Sequence, residues 1–483
     1  MLLFAGTLFW NLGGRLLWGD EAETAVLAVN ITKFGVPKAF DGVNYITLIG
    51  PGKDTNSDHI WIWSPWLDEY FAAASFAILG DTPFAARLPF ALIGLAASIF
   101  FAFVTQQLFK RPEATLFATL LFVTNASLIL HFRQCRYYSI VVLAQLALIY
   151  GYYLVYNRRA KPGVALLVAA LVAQWYCNYI LSACNAFALV LSIFAFRSYA
   201  PWLTKPLLFA LVVFVTLAAP WLLYARPSQQ ASLIGFEDFG KKCVFYAEYV
   251  SSYVAPILIG IGLIRAQSRK TNKQTVQLLD DERLGLYFFL LPLFVAHATV
   301  LLITPGYFYR YLVPLIPILI LYLAHMTSLI VDRRIRYGVM AAIFALYNLY
   351  PFVRVVQDIA TPYQNALTPL IAYLNTHARP GDSLYVQDPA LPIIFHTDLK
   401  VIDGRLTRRL DMNDLPDWIL PDSPTAIGPV KPLTLPPQLA SRYETVILQV
   451  PDSPKGDSRP DPAFHQWLTN PAVRDLVIHK RKS

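Results

Sequence analysis

The chain has 483 residues, 56% hydrophobic and 15% charged, with a mean hydropathy of +0.46. That balance excludes an ordinary water-soluble globule and points to a membrane protein. The net charge of +9 does not signal nucleic acid, because neither zinc-ligand spacing nor an aromatic-interleaved basic stripe accompanies it.

In chain order, eleven apolar runs approach the ~20 residues that a bilayer-spanning helix needs. They are 1–18, 86–109, 114–131, 138–156, 164–180, 181–197, 206–224, 243–264, 284–303, 311–331 and 338–355. The first run has no basic leader and no small-residue cleavage site, which argues against a cleaved signal peptide; a truncated start would look the same. The run 66–79 is short and reads as an interfacial helix. The basic connections 110–111, 157–161, 197–205, 265–283 and 332–336 all fall on one side of the eleven-span arrangement. The positive-inside rule places that side, and the N-terminus, in the cytoplasm. Residues 19–85, 132–137, 225–242, 304–310 and everything after 356 then lie outside.

The composition changes at about residue 356. Residues 363–378 read as an amphipathic helix. Ser383–Gln387, Lys400–Ile402, Trp418–Leu420 and Thr445–Val450 read as short strands. The Pro-rich stretch 421–437 reads as a loop and 451–462 as a flexible insertion. The expected fold is therefore mainly α: a membrane domain of about 11 transmembrane helices over 1–355, then a soluble extracytoplasmic α/β domain over 356–483. No internal repeat is visible, which counts against inverted-repeat transporters. The four cysteines, Cys135, Cys177, Cys184 and Cys243, form no disulfide framework. A Cys177–Cys184 bridge is conceivable, but buried thiols are the expectation.

The first external loop, 19–85, is unusually long, and long ordered loops tend to carry function. It opens with Gly19-Asp20-Glu21-Ala22-Glu23. These acids read either as a solvated helix N-terminus favouring the macrodipole or as a functional site at the membrane surface. A carboxylate there can act as general base or hold a divalent cation. Asp58 and His59 lie in the same loop and are candidates to join that site, against a structural role for the pair. Trp61, Trp63 and Trp66 suit interface anchoring first and sugar stacking second.

Four arginines stand on the outer side, against the positive-inside trend: Arg87, Arg133, Arg136 and Arg310. One alone would be a snorkelling side chain. Four on the same side as the carboxylates suit a phosphate, which arginine binds in bidentate fashion. Such a site fits a donor whose leaving group is a lipid-linked phosphate, with a carboxylate taking the proton of the incoming acceptor.

Several stretches resemble the GT-C membrane glycosyltransferases, in particular the protein O-mannosyltransferase and lipid A aminoarabinose transferase group. They are Gly19–Glu23 with Phe34-Gly35-Val36-Pro37, Leu79–Pro89, Arg133–Tyr138, Arg310-Tyr311-Leu312-Val313-Pro314-Leu315-Ile316-Pro317 and Arg379–Asp388. The resemblance implies an inverting transfer of a sugar from a polyprenyl-phosphate donor. The acceptor would be an extracytoplasmic glycolipid, glycan or protein, and the setting a bacterial inner membrane. By match, Asp20 takes the catalytic acidic position with Glu21 beside it. Arg133, Arg136, Tyr137, Arg310 and Tyr311 then become candidates for the lipid phosphate. One departure stands out: where the aminoarabinose branch has a Lys-Pro-Pro-like segment, this chain has Trp63-Ser64-Pro65-Trp66 and no lysine. The alternatives are a transporter or flippase of lipid-linked sugars and a non-catalytic envelope assembly protein. The spans are nearly free of Asp and Glu, which disfavours the transporter.

Overall fold

The computed structural model describes residues 2–47, 53–109, 111–226, 239–253, 281–303, 309–328, 330, 332–361, 365–387, 390–404, 414–422, 433–452 and 472–482. Its first helix, α1 (Leu2–Phe9), is short, and residues 10–18 are not helical. This corrects the single span expected over 1–18. The break comes at Asn11, which has a positive φ of 50°, just ahead of Gly13 and Gly14. Glycine costs a helix about 1 kcal/mol relative to alanine.

The long loop then contributes α2 (Gly19–Phe34) and α3 (Leu67–Leu79), which pack together. Each opens with two acids in its first turn, where the helix dipole favours negative charge. α2 ends at Gly35, whose φ of 78° is the left-handed stop that glycine supplies most easily. α3 corresponds to the short apolar run, a helix as the sequence predicts.

α4 (Pro83–Phe109), α5 (Pro112–Val123), α6 (Ala126–Phe132), α7 (Tyr138–Tyr156), α8 (Ala160–Trp175), α9 (Tyr179–Phe196) and α10 (Pro201–Ala225) follow. α5 and α6 replace the expected straight third span with a pair bent by 57°. Asn125 causes the break: its side chain accepts the Leu128 N–H at 3.0 Å and caps a new helix. α7 is the central helix and packs against α4 and α8. α7 and α8 approach closely at two glycines. A Cβ on Gly163 would lie 2.5 Å from Val155 Cγ2 and 2.8 Å from the Gly151 carbonyl.

Further on come α11 (Phe239–Tyr253), α12 (Asp281–Ile303), a 3-10 turn (Tyr309–Leu312) and α13 (Leu315–Ser328). α14 (Arg333–Ile343) and α15 (Tyr350–Ala360) are joined by a π turn, Phe344–Leu349, into one long helix. The end of the span expected over 243–264, and most of the connection 265–283, lie outside the described residues. Among the described residues, α4, α7, α9, α10 and the α14–α15 helix are long and apolar enough to cross a membrane, and bent α5–α6 makes a sixth. α8, Phe289–Val300 and α13 are apolar but shorter. The protein is an integral membrane protein.

Arginine contacts mark the two ends of the bundle. At one end, Arg111 donates to the Ser328 carbonyl (2.8 Å) and Arg336 pairs with Glu113 (3.6 Å). Arg158 stacks 3.6 Å over the Trp202 ring. The other end carries α2, α3 and the tail.

The tail is a five-stranded sheet of β1 (Ser383–Val386), β2 (Lys400–Asp403), β3 (Trp418–Leu420), β4 (Tyr443–Pro451) and β5 (Val473–Arg481), in the order β2-β1-β3-β5-β4. β1 pairs in parallel with β2 and β3, while β5 runs antiparallel to β3 and β4. β5 is not among the strands predicted from sequence: only Leu476 and Ile478 are buried, and polar residues mask the alternation. α16 (Leu367–His377) and α17 (Ala390–His396) cover one face through Leu370, Leu374 and Ile393. Most of the 451–462 insertion lies outside the described residues.

The tail docks on the loop. Asn44 bridges it, donating to the Leu399 carbonyl (3.1 Å) and accepting the Val401 N–H (2.7 Å) of β2. The Leu17 N–H donates to His396 Nε2 (3.2 Å), and Phe395 meets Phe76 of α3.

Candidate active site

Helical geometry sorts the first-turn acids of α2. Residues three and four apart share a face, so Asp20, Glu23 and Thr24 look one way and Glu21 another. Asp20 keeps a quarter of its side chain exposed and is ion-paired with Arg310 Nη1. Arg136 Nη2 stands 3.9 Å from the same carboxylate oxygen. Arg136 is anchored on the shared face: its Nη1 donates to Glu23 Oε1 (3.0 Å) and Thr24 Oγ1 (2.8 Å). Tyr137 lies under it, with the guanidinium carbon 5.7 Å from the ring centre. Arg310 and Tyr311 arrive on the 3-10 turn that precedes α13.

Glu21, grouped with Asp20 as catalytic in the sequence reading, is fully buried. Arg87 Nε and Nη2 grip its two oxygens at 2.8 and 2.7 Å, and the Cys135 N–H donates to it at 2.9 Å. Arg87 also donates to the Leu12, Arg15 and Leu16 carbonyls. It thus ties the non-helical stretch after α1 to α2. Arg133 donates to the Thr7 and Leu8 carbonyls, both at 2.8 Å, and to Asn11. These carbonyls lie at the end of α1, where helical partners run out. Of the four outer arginines, Arg136 and Arg310 therefore gather at Asp20, while Arg87 and Arg133 hold the N-terminal segment.

Asp58 and His59 lie elsewhere. Both are exposed, and among the described residues no hydrogen bond or ion pair joins them to Asp20. His59 has a positive φ of 58° and sets its ring edge-on to Phe40 and Tyr45. Trp61 is fully buried, donates to Ser64 Oγ (2.9 Å), and accepts Trp66 Nε1 on its carbonyl (2.7 Å). It is loop core, neither membrane anchor nor sugar platform. Trp66 instead lines an apolar cleft of about 600 Å³ with Tyr70, Tyr176, Trp221 and Tyr224. All four cysteines are free thiols.

Sequence reasoning missed Asp68 and Glu69, the first-turn acids of α3. Both are buried, at 3% and 1% exposure. Burial, opposed by Arg136, raises Asp68 to about 6. Burial and then the Asp68 charge push Glu69 well above the usual carboxylate range. Burial likewise raises Glu23. The signal was available, since an acidic pair opening an apolar helix is the same pattern as Asp20-Glu21. Among the described residues, no three His, Cys, Asp or Glu side chains converge as a metal site.

No protein-family model matches the sequence, and no curated relative does. Solved structures do. ArnT from Cupriavidus metallidurans bound to undecaprenyl phosphate superposes with a TM-score of 0.55 at 15% identity, covering 86% of this chain and 85% of that one. Its apo form gives 0.54 at 14% identity, over 82% of each. The fold is GT-C. On this GT-C frame the Asp20–Arg136–Arg310 group sits at the end of the bundle that carries the tail domain, where α2 meets the link between α6 and α7 and the entry to α13.

Proposed function

We propose that the protein is an inverting glycosyltransferase that moves a sugar from a polyprenyl-phosphate donor to an acceptor outside the cytoplasm. The observation that carries the proposal is Asp20: a partly exposed carboxylate set between buried Arg136 and half-buried Arg310 at a membrane boundary. The GT-C fold adds support, since its ArnT neighbour was solved with undecaprenyl phosphate. In this reading Arg136 and Arg310 take the lipid phosphate and neutralise the charge that grows on it as the bond to the sugar breaks. The acceptor hydroxyl or amine attacks the anomeric carbon from the opposite side and gives its proton to Asp20. Arg310 must then exchange Asp20 for phosphate when donor enters. Glu21 and Arg87 serve as scaffold. In this reading the tail and the site lie outside a bacterial inner membrane, and the one-sided basic connections support that orientation.

The test uses purified protein in lipid, polyprenyl-phosphate sugars as donors, and an envelope extract as acceptor source. Sugar should move to an acceptor with wild type, and Asp20→Asn should lower transfer by about 10²–10⁴-fold while donor still binds. Donor binding without transfer in wild type, with acceptor controls positive, would sink the enzyme reading in favour of a carrier.

A further inference from the structure

Among the described residues, the proposed donor site holds more carboxylates than cations. Asp20 and Glu23 are ion-paired with Arg310 and Arg136, Asp68 and Glu69 lie within the electrostatic reach of Arg136, and Glu21 is matched separately by Arg87. Among the described residues that leaves four acids against two guanidinium groups. An anionic phosphate would make the imbalance worse. Ionised carboxylates cannot stay buried without partners at such density; some must hold protons.

The geometry says which. Glu69 Oε2 and Glu23 Oε2 are buried and meet no hydrogen-bond donor. Glu23 still has Arg136 on its other oxygen, at 3.0 Å. No described arginine or lysine forms an ion pair with Asp68 or Glu69. The two carboxyls are neighbours in the first turn of α3, and an interaction between them opposes part of the rise that burial causes at Asp68. Neighbouring carboxyls in a dry site do not both ionise, and the pair titrates as a unit. The groups facing them are Glu23 on α2, Cys135 and Arg136 on the α6–α7 link, and Cys177 on the α8–α9 link.

We propose that Asp68 and Glu69 are positioning residues for the donor phosphate: as a proton-carrying pair they leave the Arg136 charge to the phosphate, and once ionised they withdraw it. They act through Arg136 rather than by touching substrate. The sign follows. At low pH the pair is neutral, and only Asp20 and Glu23 compete with the phosphate for the two guanidinium groups. As pH rises through the raised values, negative charge accumulates behind Arg136 and donor affinity falls. This rests on the donor reading above and adds a proton dependence to it.

The test measures binding of undecaprenyl methyl phosphate, a diester whose single charge does not titrate in this range, to the full chain in nanodiscs between pH 5.5 and 8.5. Wild type should lose about tenfold in affinity across the range, the loss expected when one net charge appears beside the site. Asp68→Asn with Glu69→Gln, which copies the neutral pair, should bind at high pH as wild type does at low pH. A protonated-carboxyl infrared band at neutral pH should vanish in that variant. The single variants Asp68→Asn and Glu69→Gln assign the band if the double variant folds poorly. Equal pH dependence in wild type and variant, or no such band, overturns the proposal. No binding by wild type at any pH overturns the donor reading itself, and this proposal with it.

Discussion

Asp20 and Glu21 are adjacent, yet their side chains leave α2 about 100° apart and meet different cations. The consequences of changing them should differ in kind. Arg87→Ala leaves Glu21 buried with its guanidinium partner gone, and loss of one partner of a buried pair costs about 3–5 kcal/mol. Thermal unfolding in detergent should show that loss, and a stability unchanged from wild type would refute the scaffold role. Arg310→Gln should do the reverse: modest change in melting, but a rise in donor KM. If its KM stayed level while kcat fell alone, Arg310 would not be a ground-state phosphate contact. These residues were partly legible in the sequence. The outer-side arginines were found because they violate the topology trend, but that trend is blind to backbone carbonyls. Only the structure shows Arg133 meeting the end of α1 and Arg136 meeting Glu23. Asp68 and Glu69 are readable in principle, but a short apolar run that reads as an interfacial helix draws no attention to the acids that open it.

At the scale of elements, apolar run length revealed the spans but not their breaks. The bend between α5 and α6 depends on one side chain, Asn125, acting as a cap inside an apolar run. The 1–18 run contains a helix of eight residues because Asn11, Gly13 and Gly14 interrupt it. Strand β5 hides for the opposite reason, since charge obscures its inward-facing residues. Contact between α7 and α8 is a glycine matter. Gly163→Ala should destabilise the bundle by about 1–3 kcal/mol, the usual penalty for overpacking, because the new methyl meets Val155 and the Gly151 backbone. Gly6→Ala, where a Cβ would meet nothing, is the control, and equal melting of the two variants would refute the close-packing account.

At the scale of the whole molecule, the tail is joined to the first loop by few but specific contacts. Asn44→Ala would leave the Leu399 carbonyl and the Val401 N–H without their partner, at a cost of about 1–3 kcal/mol per buried group left unsatisfied. Hydrogen exchange should rise at β2 while the α4–α10 bundle stays protected. Exchange unchanged at β2 would show that apolar contacts such as Phe76 with Phe395 hold the tail alone.

The pairing of Asp20 with Arg310 joins residues 290 positions apart. At roughly 5–20 residues per second, the ribosome delivers the second some 15–60 s after the first. Through that interval Asp20 can have Arg136 beside it but not Arg310. No fragment ending before the turn at Tyr309–Leu312 contains the complete site. The proposed site is then completed late in synthesis, after α1 to α12 have been made.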